Sequence, residues 1–460
     1  MNPLLNPIFL ARIAKSYILD VNRVKRSTEE QLKKYQNNQL KKIVRYADSV
    51  PLYNKKFKEV KLNVKEFKGF KDLEKIPIVT KKDFRASTTQ DLLPKNADPE
   101  KYSVVSTSGS TGKPVTLYSD PYTVFYTFIG FIRVLREHNL SWYKNKMAII
   151  ADLSPDSAED AYFSRTAVPN LKTFFSLKNM KIFNVNEKPE TLLQQIDEFN
   201  PEFLGGYPGI IKILAILTRQ GHAKHLSPNI IATSGSIVDE LTKQTIQNAF
   251  DAQLFDMYGA TECSPIAFQC REGHYHINTD FALMEYMDPK KKKDITGDGG
   301  NIIVTRLFGR GTPVIRYSGI SDLIEPSDKK TNCGINTPTI DHIGGRQVDS
   351  IVLPNGDIIP PSSFTGIPHK VMHKFNTDKI LQFQIIQQSR KEIDILIVID
   401  EQLRNIGPKI TDIFNEIKKQ YEKKVGQKVK INVKEVDKIK AIRAGSSTPP
   451  PVVISKVNIQ

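Results

Sequence analysis

Cysteine and long apolar runs are both scarce in this chain, and each scarcity excludes a class of protein. Three cysteines among 460 residues cannot form the disulfide framework of a small secreted protein, so we expect a reducing, cytoplasmic location. No apolar run approaches the roughly 18 residues that cross a bilayer. The stretch 3–19 is broken by Arg12 and Lys15. The helical spacing of its apolar residues favours a helix packed on the body of the protein over a membrane-surface anchor.

Acidic residues are fewer than basic ones. Lysine and arginine number 66 against 50 aspartates and glutamates, which gives a formal net charge of +16. Such a charge can indicate a nucleic-acid partner, but the lysines are scattered and no helix-turn-helix, finger or aromatic-basic platform occurs. We therefore expect no nucleic acid and no transmembrane segment, but an enzyme whose basic surface raises its encounter rate with small anionic ligands. A homodimer is compatible with the sequence.

Chain length and periodicity predict an α/β protein of at least two domains. At 460 residues the chain exceeds what one core usually organises. Short apolar runs alternate with helix-length segments, which is typical of parallel strands with ligand-binding loops at their ends. The predicted strands are 147–150, 203–206, 230–233 and 302–305, and the predicted helices are 27–46, 208–220 and 240–250.

The pattern changes after Asp349. Alternating runs predict strands at 382–388, 393–399 and 428–436, with an amphipathic helix at 408–424. We expect a large, multi-layer N-terminal domain at 1–347 with mixed and parallel sheets, and a helical segment at 1–60 packed on it. A small α+β domain at 348–460 is expected to follow.

The segment from Thr107 to Pro114 is the most informative in the chain. It places two glycines, four hydroxyls and a lysine in one turn after an apolar-polar run. Glycine lets backbone N–H groups face an anion, hydroxyls donate further hydrogen bonds, and lysine neutralises charge. The turn differs from the nucleotide loop that ends in Gly-Lys-Ser/Thr, because a proline follows Lys113. Taken alone, the segment is compatible with a phosphate loop and with a polar hairpin turn.

Three later motifs accompany this segment. They are Tyr-Gly-Ala-Thr-Glu at 258–262, Arg-Tyr-Ser-Gly-Ile-Ser-Asp at 316–322 and Gly-Gly-Arg-Gln-Val-Asp at 344–349. In this order and spacing the chain resembles the AMP-forming adenylating superfamily of acyl- and aryl-CoA synthetases, most closely its phenylacetate-CoA ligase and capsule-biosynthesis branch. Segments 49–53 and 73–83 fit the same branch, and the resemblance spans nearly the whole chain.

The resemblance implies an AMP-forming ligase. The implied reaction is ATP-dependent activation of a carboxylic acid, aromatic acids included, to an acyl-adenylate with release of pyrophosphate, followed by transfer to CoA. ATP, Mg²⁺ and CoA are the implied cofactors, and the C-terminal domain is implied to be a mobile lid. Capsule-type relatives also allow an amine or a sugar as the acceptor, in surface-polysaccharide synthesis.

The same resemblance implies the binding residues. The loop implied to wrap the β- and γ-phosphates comprises Ser108, Gly109, Ser110, Thr111, Gly112 and Lys113. The residues implied to hold the rest of the nucleotide are Tyr258 and Gly259 at adenine, Thr261 at the α-phosphate, Glu262 as the Mg²⁺ ligand, Asp322 at the ribose hydroxyls and Arg346 beside ribose and phosphate. The implied catalytic residues are Lys113, Thr261, Glu262 and Arg346. The residues that lie where relatives line the carboxylate pocket are Tyr207, Gly235 and Ser236.

The C-terminal sequence departs from the family. Relatives place a catalytic lysine in a Ser-Gly-Lys turn before a closing strand that is similar to 453–457, and here Pro449 stands at the lysine position. The hinge residue, commonly Asp or Lys in relatives, is Val348. Adenylation is then slow, or Lys440 or another basic group substitutes, or the C-terminal domain serves mainly the acceptor step. A half-active, nucleotide-binding member of the family is the remaining alternative.

The cysteines offer a structural metal site. Cys263, Cys270, His276 and Cys333 would complete a tetrahedral zinc site if the fold brings them together. Their spacing matches no standard zinc finger. Free buried cysteines are the alternative.

Lys113→Ala tests the phosphate loop. Removal of the ammonium group should weaken productive use of ATP by about 1.5–3 kcal/mol, the value of a charge-assisted hydrogen bond, while folding stays nearly intact. The measurement is pyrophosphate release at subsaturating ATP. Unchanged release in the variant would contradict a phosphate contact by Lys113.

Overall fold

The computed structural model describes most of the chain. The described residues are 5–106, 115–154, 157, 159–160, 163, 177–263, 265–287, 301–327, 329–346, 349–426, 428–439 and 452–457, with the backbone alone at position 346. The phosphate loop from Ser108 to Lys113 lies outside these ranges, as do Val348, Lys440 and Pro449. The roles expected for these residues stay predictions.

Helices form the N-terminal part. In chain order they are α1 (Pro7–Leu19), α2 (Arg23–Arg26), α3 (Glu29–Ala47), α4 (Pro51–Glu59), α5 (Lys81–Ala86) and α6 (Thr89–Leu92), with 3₁₀ turns at Val64–Glu66, Gly69–Lys75 and Pro99–Lys101. Helix α1 begins where the Asn6 side chain accepts hydrogen bonds from the N–H groups of Ile8 and Phe9. Helix α3 begins with a capping box of Thr28 and Gln31. These caps satisfy N–H groups that have no partner within the helix.

Helix α1 contacts helix α7 (Pro121–Glu137) through one face. The Phe9 ring lies 5.8 Å from the ring of Phe125, which belongs to α7. The opposite face of α1 leaves Ile8 81% and Ile18 65% exposed. Among the described residues, none of the helices has the length and apolarity that a membrane crossing requires.

A nine-stranded sheet forms the centre of the large domain. The strands of this part are β1 (Ser103–Ser106), β2 (Thr116–Ser119), β3 (Met147–Ala151), β4 (Met180–Asn184), β5 (Phe203–Gly206), β6 (Ile230–Ser234), β7 (Gln253–Tyr258), β8 (Ala267–Gln269), β9 (Tyr275–Ile277), β10 (Ala282–Tyr286), β11 (Ile302–Arg306), β12 (Asp322–Ser327) and β13 (Thr339–Arg346). Nine of them lie in the order β12-β13-β9-β8-β7-β6-β5-β3-β4. Strands β3 to β7 pair in parallel. The connecting helices are α8 (Pro189–Phe199), α9 (Pro208–Arg219) and α10 (Glu240–Phe250).

The elements predicted for this part are present. The strands expected at 147–150, 203–206 and 230–233 are β3, β5 and β6, and two expected helices are α9 and α10. The strand expected at 302–305 is β11, but it pairs antiparallel with β10 and lies outside the nine-stranded sheet. An unbroken apolar run indicates burial on both faces and does not fix which strand becomes the partner.

The C-terminal part has its own sheet, and its hydrophobic core also includes Leu241 of α10. Strands β14 (Ile351–Val352) and β15 (Ile358–Ile359) pair with each other. A four-stranded sheet has the order β18-β17-β16-β19, and its strands are β16 (Ile380–Ser389), β17 (Glu392–Ile399), β18 (Lys430–Glu435) and β19 (Val453–Ser455). The helices are α11 (Ser362–Thr365), α12 (Ile367–Phe375) and α13 (Ile410–Val425). The strands and the helix predicted here are confirmed, whereas the domain limits at 347 and 348 stay a prediction.

Arg133 joins three segments of the large domain. Arg133 is only 4% exposed. Its guanidinium donates to the two carboxylate oxygens of Asp280 at 2.8 and 2.6 Å. It also donates to the side-chain oxygen of Asn278 at 2.6 Å and to the backbone carbonyls of Asp20 and Val21 at 2.7 and 2.9 Å. Helix α7 is thereby tied to the N-terminal segment and to the residues that precede β10.

Asp280→Asn should destabilise the protein through this cluster. Asparagine keeps the shape but leaves the buried Arg133 charge without its counter-ion, and breaking a buried pair in this way typically costs about 3–5 kcal/mol. Chemical denaturation followed by circular dichroism measures the change. The control is Asp341→Asn, which removes an exposed partner of Lys329 and should change stability little. Equal losses in both variants would contradict the special position of Arg133.

Candidate active site

The loops that follow three adjacent parallel strands carry the predicted site residues. Tyr207 follows β5, Gly235 and Ser236 follow β6, and segment 259–262 follows β7. The carboxyl ends of parallel strands meet at one edge of a sheet, and ligands of α/β proteins bind at that edge. The fold therefore brings together residues that the sequence assigns separately to the nucleotide and to the carboxylic acid.

Glu262 lies at this edge as a buried carboxylate. Its residue is 6% exposed, and the hydroxyl of Tyr317 donates to its Oε1 at 2.9 Å. Burial raises the pKa of Glu262, while hydrogen bonds, that of Tyr317 among them, and the positive charge of Lys81 lower it. Carboxylate oxygens are ligands that Mg²⁺ prefers. The group is thus chemically suited to the metal-binding function predicted from the sequence.

Tyr317 is held in position by its chain neighbours. Arg316 adopts the left-handed region with φ 43°, and its Nη2 lies 2.8 Å from Oε1 of Glu285. The N–H of Val79 donates to the Arg316 carbonyl at 2.9 Å, and the N–H of Ser318 donates to the Val79 carbonyl at 2.9 Å. These bonds fix the backbone on both sides of Tyr317 and thereby the direction of its hydroxyl.

Sequence reasoning missed Tyr317 and Lys81 as site residues. Tyr317 was part of a named motif without a function, and Lys81 begins helix α5 within another motif that carries the resemblance. Membership of these motifs was the available signal. The structure shows a physical function for the second motif, because Val79 holds the Tyr317 backbone and Lys81 places a positive charge near Glu262.

Tyr258 and Asp322 form a second polar contact. The Tyr258 hydroxyl donates to Oδ2 of Asp322 at 3.0 Å. Burial, and then the charge of Asp322, raise the pKa of Tyr258 well above its usual value, so the hydroxyl stays a donor. Asp322 begins β12 and pairs with the backbone of Arg346 at the end of β13. Gly259 and Thr261 are half-buried in the loop after Tyr258.

Two residues of the predicted carboxylate pocket contact each other. Gly235 has φ +86°, and a Cβ at this position would lie 2.8 Å from Cε1 of Tyr207, so the position requires glycine. The Tyr207 hydroxyl donates to Oε1 of Glu159 at 2.5 Å, and burial raises the pKa of Glu159. Ser236 is exposed. Sequence reasoning missed Glu159, since no motif surrounds it.

The predicted zinc ligands are brought together only in part. The Sγ atoms of Cys270 and Cys333 and a ring nitrogen of His276 lie within 4.8 Å of one another. Among the described residues, Cys263 is not a member of this group, which corrects its prediction as a ligand. It is buried beside Glu262 in the chain, where burial raises its pKa to about 12. Strand β8 lies between Cys263 and Cys270 and separates the two thiols.

Comparisons with known proteins identify the fold. Residues 352–448 match the family model described as the CapK C-terminal domain. Protein CapK of Staphylococcus aureus is 21% identical over 439 residues, which cover 94% of this chain and 92% of that protein. A phenylacetate-coenzyme A ligase of Thermus thermophilus is 23% identical over 373 residues, covering 75% of this chain and 77% of that protein. A crystal structure of 2-hydroxyisobutyryl-CoA ligase in the postadenylation state, in complex with R3-HIB-AMP, matches with a TM-score of 0.76 at 18% identity, covering 95% of this chain and 91% of that chain.

This chain therefore shares its fold with 2-hydroxyisobutyryl-CoA ligase. The relatives of this chain include protein CapK and phenylacetate-CoA ligases, and its residues 352–448 match the CapK C-terminal domain. The resemblance inferred from the ordered motifs is confirmed. So is the predicted α/β architecture with a small C-terminal α+β part.

Glu262→Gln and Tyr317→Phe test the buried carboxylate. Glutamine keeps the shape and removes the charge that a divalent cation needs, so pyrophosphate release from ATP should fall by orders of magnitude.

Tyr317→Phe removes one hydrogen bond to the carboxylate and should lower release about 10- to 100-fold at limiting Mg²⁺, with partial recovery at high Mg²⁺.

The matched control for Tyr317→Phe is Tyr275→Phe. Tyr275 is also a tyrosine that donates to a buried carboxylate, that of Asp256, at 2.7 Å, but neither residue belongs to the candidate site. Its removal should leave the dependence on Mg²⁺ unchanged. If both variants shift this dependence equally, Tyr317 has only a structural function.

Proposed function

We propose that this protein activates a carboxylic acid with ATP and transfers the acyl group to CoA. In the first step a carboxylate oxygen forms a bond to the α-phosphorus, and the bond from that phosphorus to the pyrophosphate oxygen breaks. In the second step the CoA sulfur forms a bond to the acyl carbon, and AMP leaves. The observation that carries the proposal is the position of Glu262, Tyr258 and Asp322 at the sheet edge where the carboxylate-pocket loops also end.

Tyr258 and Asp322 would hold the nucleoside. Their hydrogen bond of 3.0 Å orders both side chains before a ligand arrives, so less conformational freedom is lost on binding. A carboxylate accepts several hydrogen bonds, which suits it to the two hydroxyls of a ribose. Thr261 and Lys113 are assigned to the phosphates on the resemblance.

Glu262 would hold Mg²⁺. Tyr317 anchors its carboxylate, and Arg306, itself buried, supports its backbone by donating to the carbonyls of Glu262 at 3.4 Å and Thr312 at 2.6 Å. When bound, the ion screens the negative charge of the triphosphate against the approaching carboxylate. The carboxylate oxygens of Glu262, held in place by Tyr317, are suited to bind such an ion.

The acid itself is inferred to carry a polar group. The Tyr207 hydroxyl and the Glu159 backbone N–H donate hydrogen bonds to the Glu159 carboxylate, and a carboxylate has capacity for more. A hydroxyl or amine on the substrate would meet that capacity, whereas an unsubstituted phenyl ring would not. Glu159 therefore favours a substituted acid over phenylacetate.

Pyrophosphate release tests the proposed function. We expect purified protein to release pyrophosphate with one class of acid from a panel that pairs each acid with its hydroxylated analogue, such as phenylacetate and 4-hydroxyphenylacetate. A thioester should appear by mass spectrometry when CoA is added. Release without a thioester would point to an amine or a sugar as the acceptor. No acid-dependent release, together with no ATP binding by calorimetry, would contradict the proposal.

A further inference from the structure

Cys270, His276 and Cys333 come from three segments that the sheet brings together. Cys270 directly follows β8, His276 lies in β9, and Cys333 lies in the connection between β12 and β13. His276 pairs with Phe268 of β8 on one side and with Thr339 of β13 on the other. The three side chains therefore meet where paired strands already hold the backbone.

The potential ligand atoms are close to one another. Nε2 of His276 lies 3.1 Å from Sγ of Cys333, and Sγ of Cys270 completes the group. The second ring nitrogen of His276, Nδ1, lies 3.3 Å from Oγ1 of Thr337. A metal-binding histidine is typically held through its second nitrogen in this way. Cys270 and His276 are buried, and Cys333 is half-buried.

The turn after Cys270 is arranged around its sulfur. The N–H of Cys270 donates to the carbonyl of His274, and the N–H of Gly273 donates to the carbonyl of Cys270, both at 2.9 Å. The backbone N–H groups of Glu272 and His274 also form hydrogen bonds to the Cys270 sulfur. These backbone bonds fix the position of the Cys270 sulfur within the group.

We propose that Cys270, His276 and Cys333 bind one zinc ion. Two thiolates and an imidazole are preferred ligands of Zn²⁺, whereas hard cations prefer oxygen. Zinc–ligand bonds of about 2.3 Å to sulfur and about 2.0 Å to nitrogen place tetrahedral ligand atoms roughly 3.6–3.8 Å apart. The three atoms, all within 4.8 Å of one another, reach those separations by small side-chain movements. Cys333 is half-buried, so a water molecule on its exposed side would complete the tetrahedron as the fourth ligand.

Through Cys333 on one side and Cys270 and His276 on the other, the ion links the β12–β13 connection to the β8–β9 hairpin. Strand β13 pairs with β9 through Thr339 and Ile340, and the N–H of Ile277 donates to the carbonyl of Pro338 at 3.0 Å. The connection begins after Ser327, and its described residues contain no strand. Zinc adds a bond from Cys333 within this connection. The proposal rests on these contacts alone, so it stands or falls independently of the proposed ligase activity.

Elemental analysis of the purified full-length chain tests the proposal. We expect one zinc ion per chain after desalting, and loss of zinc in Cys270→Ser and in Cys333→Ser. Two matched controls should keep zinc. Cys263→Ser removes a buried thiol and His274→Ala removes a neighbouring imidazole, and neither belongs to the group.

Cobalt substitution keeps the test decisive if the cysteine variants fail to fold. The unmutated chain, stripped with a chelator and titrated with Co²⁺, should show the thiolate-to-cobalt charge-transfer band and the strong visible bands of tetrahedral cobalt. Protein that contains no zinc and binds no cobalt would overturn the proposal. A Cys270–Cys333 disulfide in freshly purified protein would also overturn it, as would equal loss of zinc in the two control variants.

Discussion

The hydrogen bond from Tyr317 to Glu262 is the contact on which the arrangement of the candidate site depends. A carboxylate buried to this extent needs a donor within the protein, because its removal from water without one is costly. Tyr317 supplies that donor at 2.9 Å. The left-handed backbone of Arg316, its ion pair with Glu285 and the backbone bonds to Val79 all fix Tyr317. Four distant segments thus serve to present one carboxylate.

Much of the fold can be predicted from the sequence because it rests on local patterns. Strands β5 and β6 are unbroken apolar runs that end at glycine or serine, and α9 and α10 have a clear apolar stripe. The alternating runs of β16 and β17 are equally legible. Strand pairing is harder to predict, as β11 shows. A strand buried on both faces has no sequence pattern that identifies its partner strand.

The candidate site can be predicted only where its residues are contiguous. The segment 258–262 is a single loop, so its motif is visible in the sequence. The pair of Tyr317 and Glu262 spans 55 residues, and the pair of Tyr207 and Glu159 spans 48. No local pattern encodes such contacts. Cys263 illustrates the converse, since closeness in the sequence to Cys270 gives no closeness in space when a strand lies between them.

The β12–β13 hairpin connects the contact between Tyr258 and Asp322 with the proposed zinc site. At one end Asp322 contacts Tyr258 and pairs with the backbone of Arg346. The connection at the other end carries Cys333, roughly 25 Å away along the eight residues of β13. The ladder between these strands has two register shifts, and bulges of this kind bend a strand and fix its register. A slip of one residue would turn Asp322 to the opposite face of the sheet. The bulged ladder therefore keeps Asp322 directed at Tyr258, whether or not a metal binds at the far end of the hairpin.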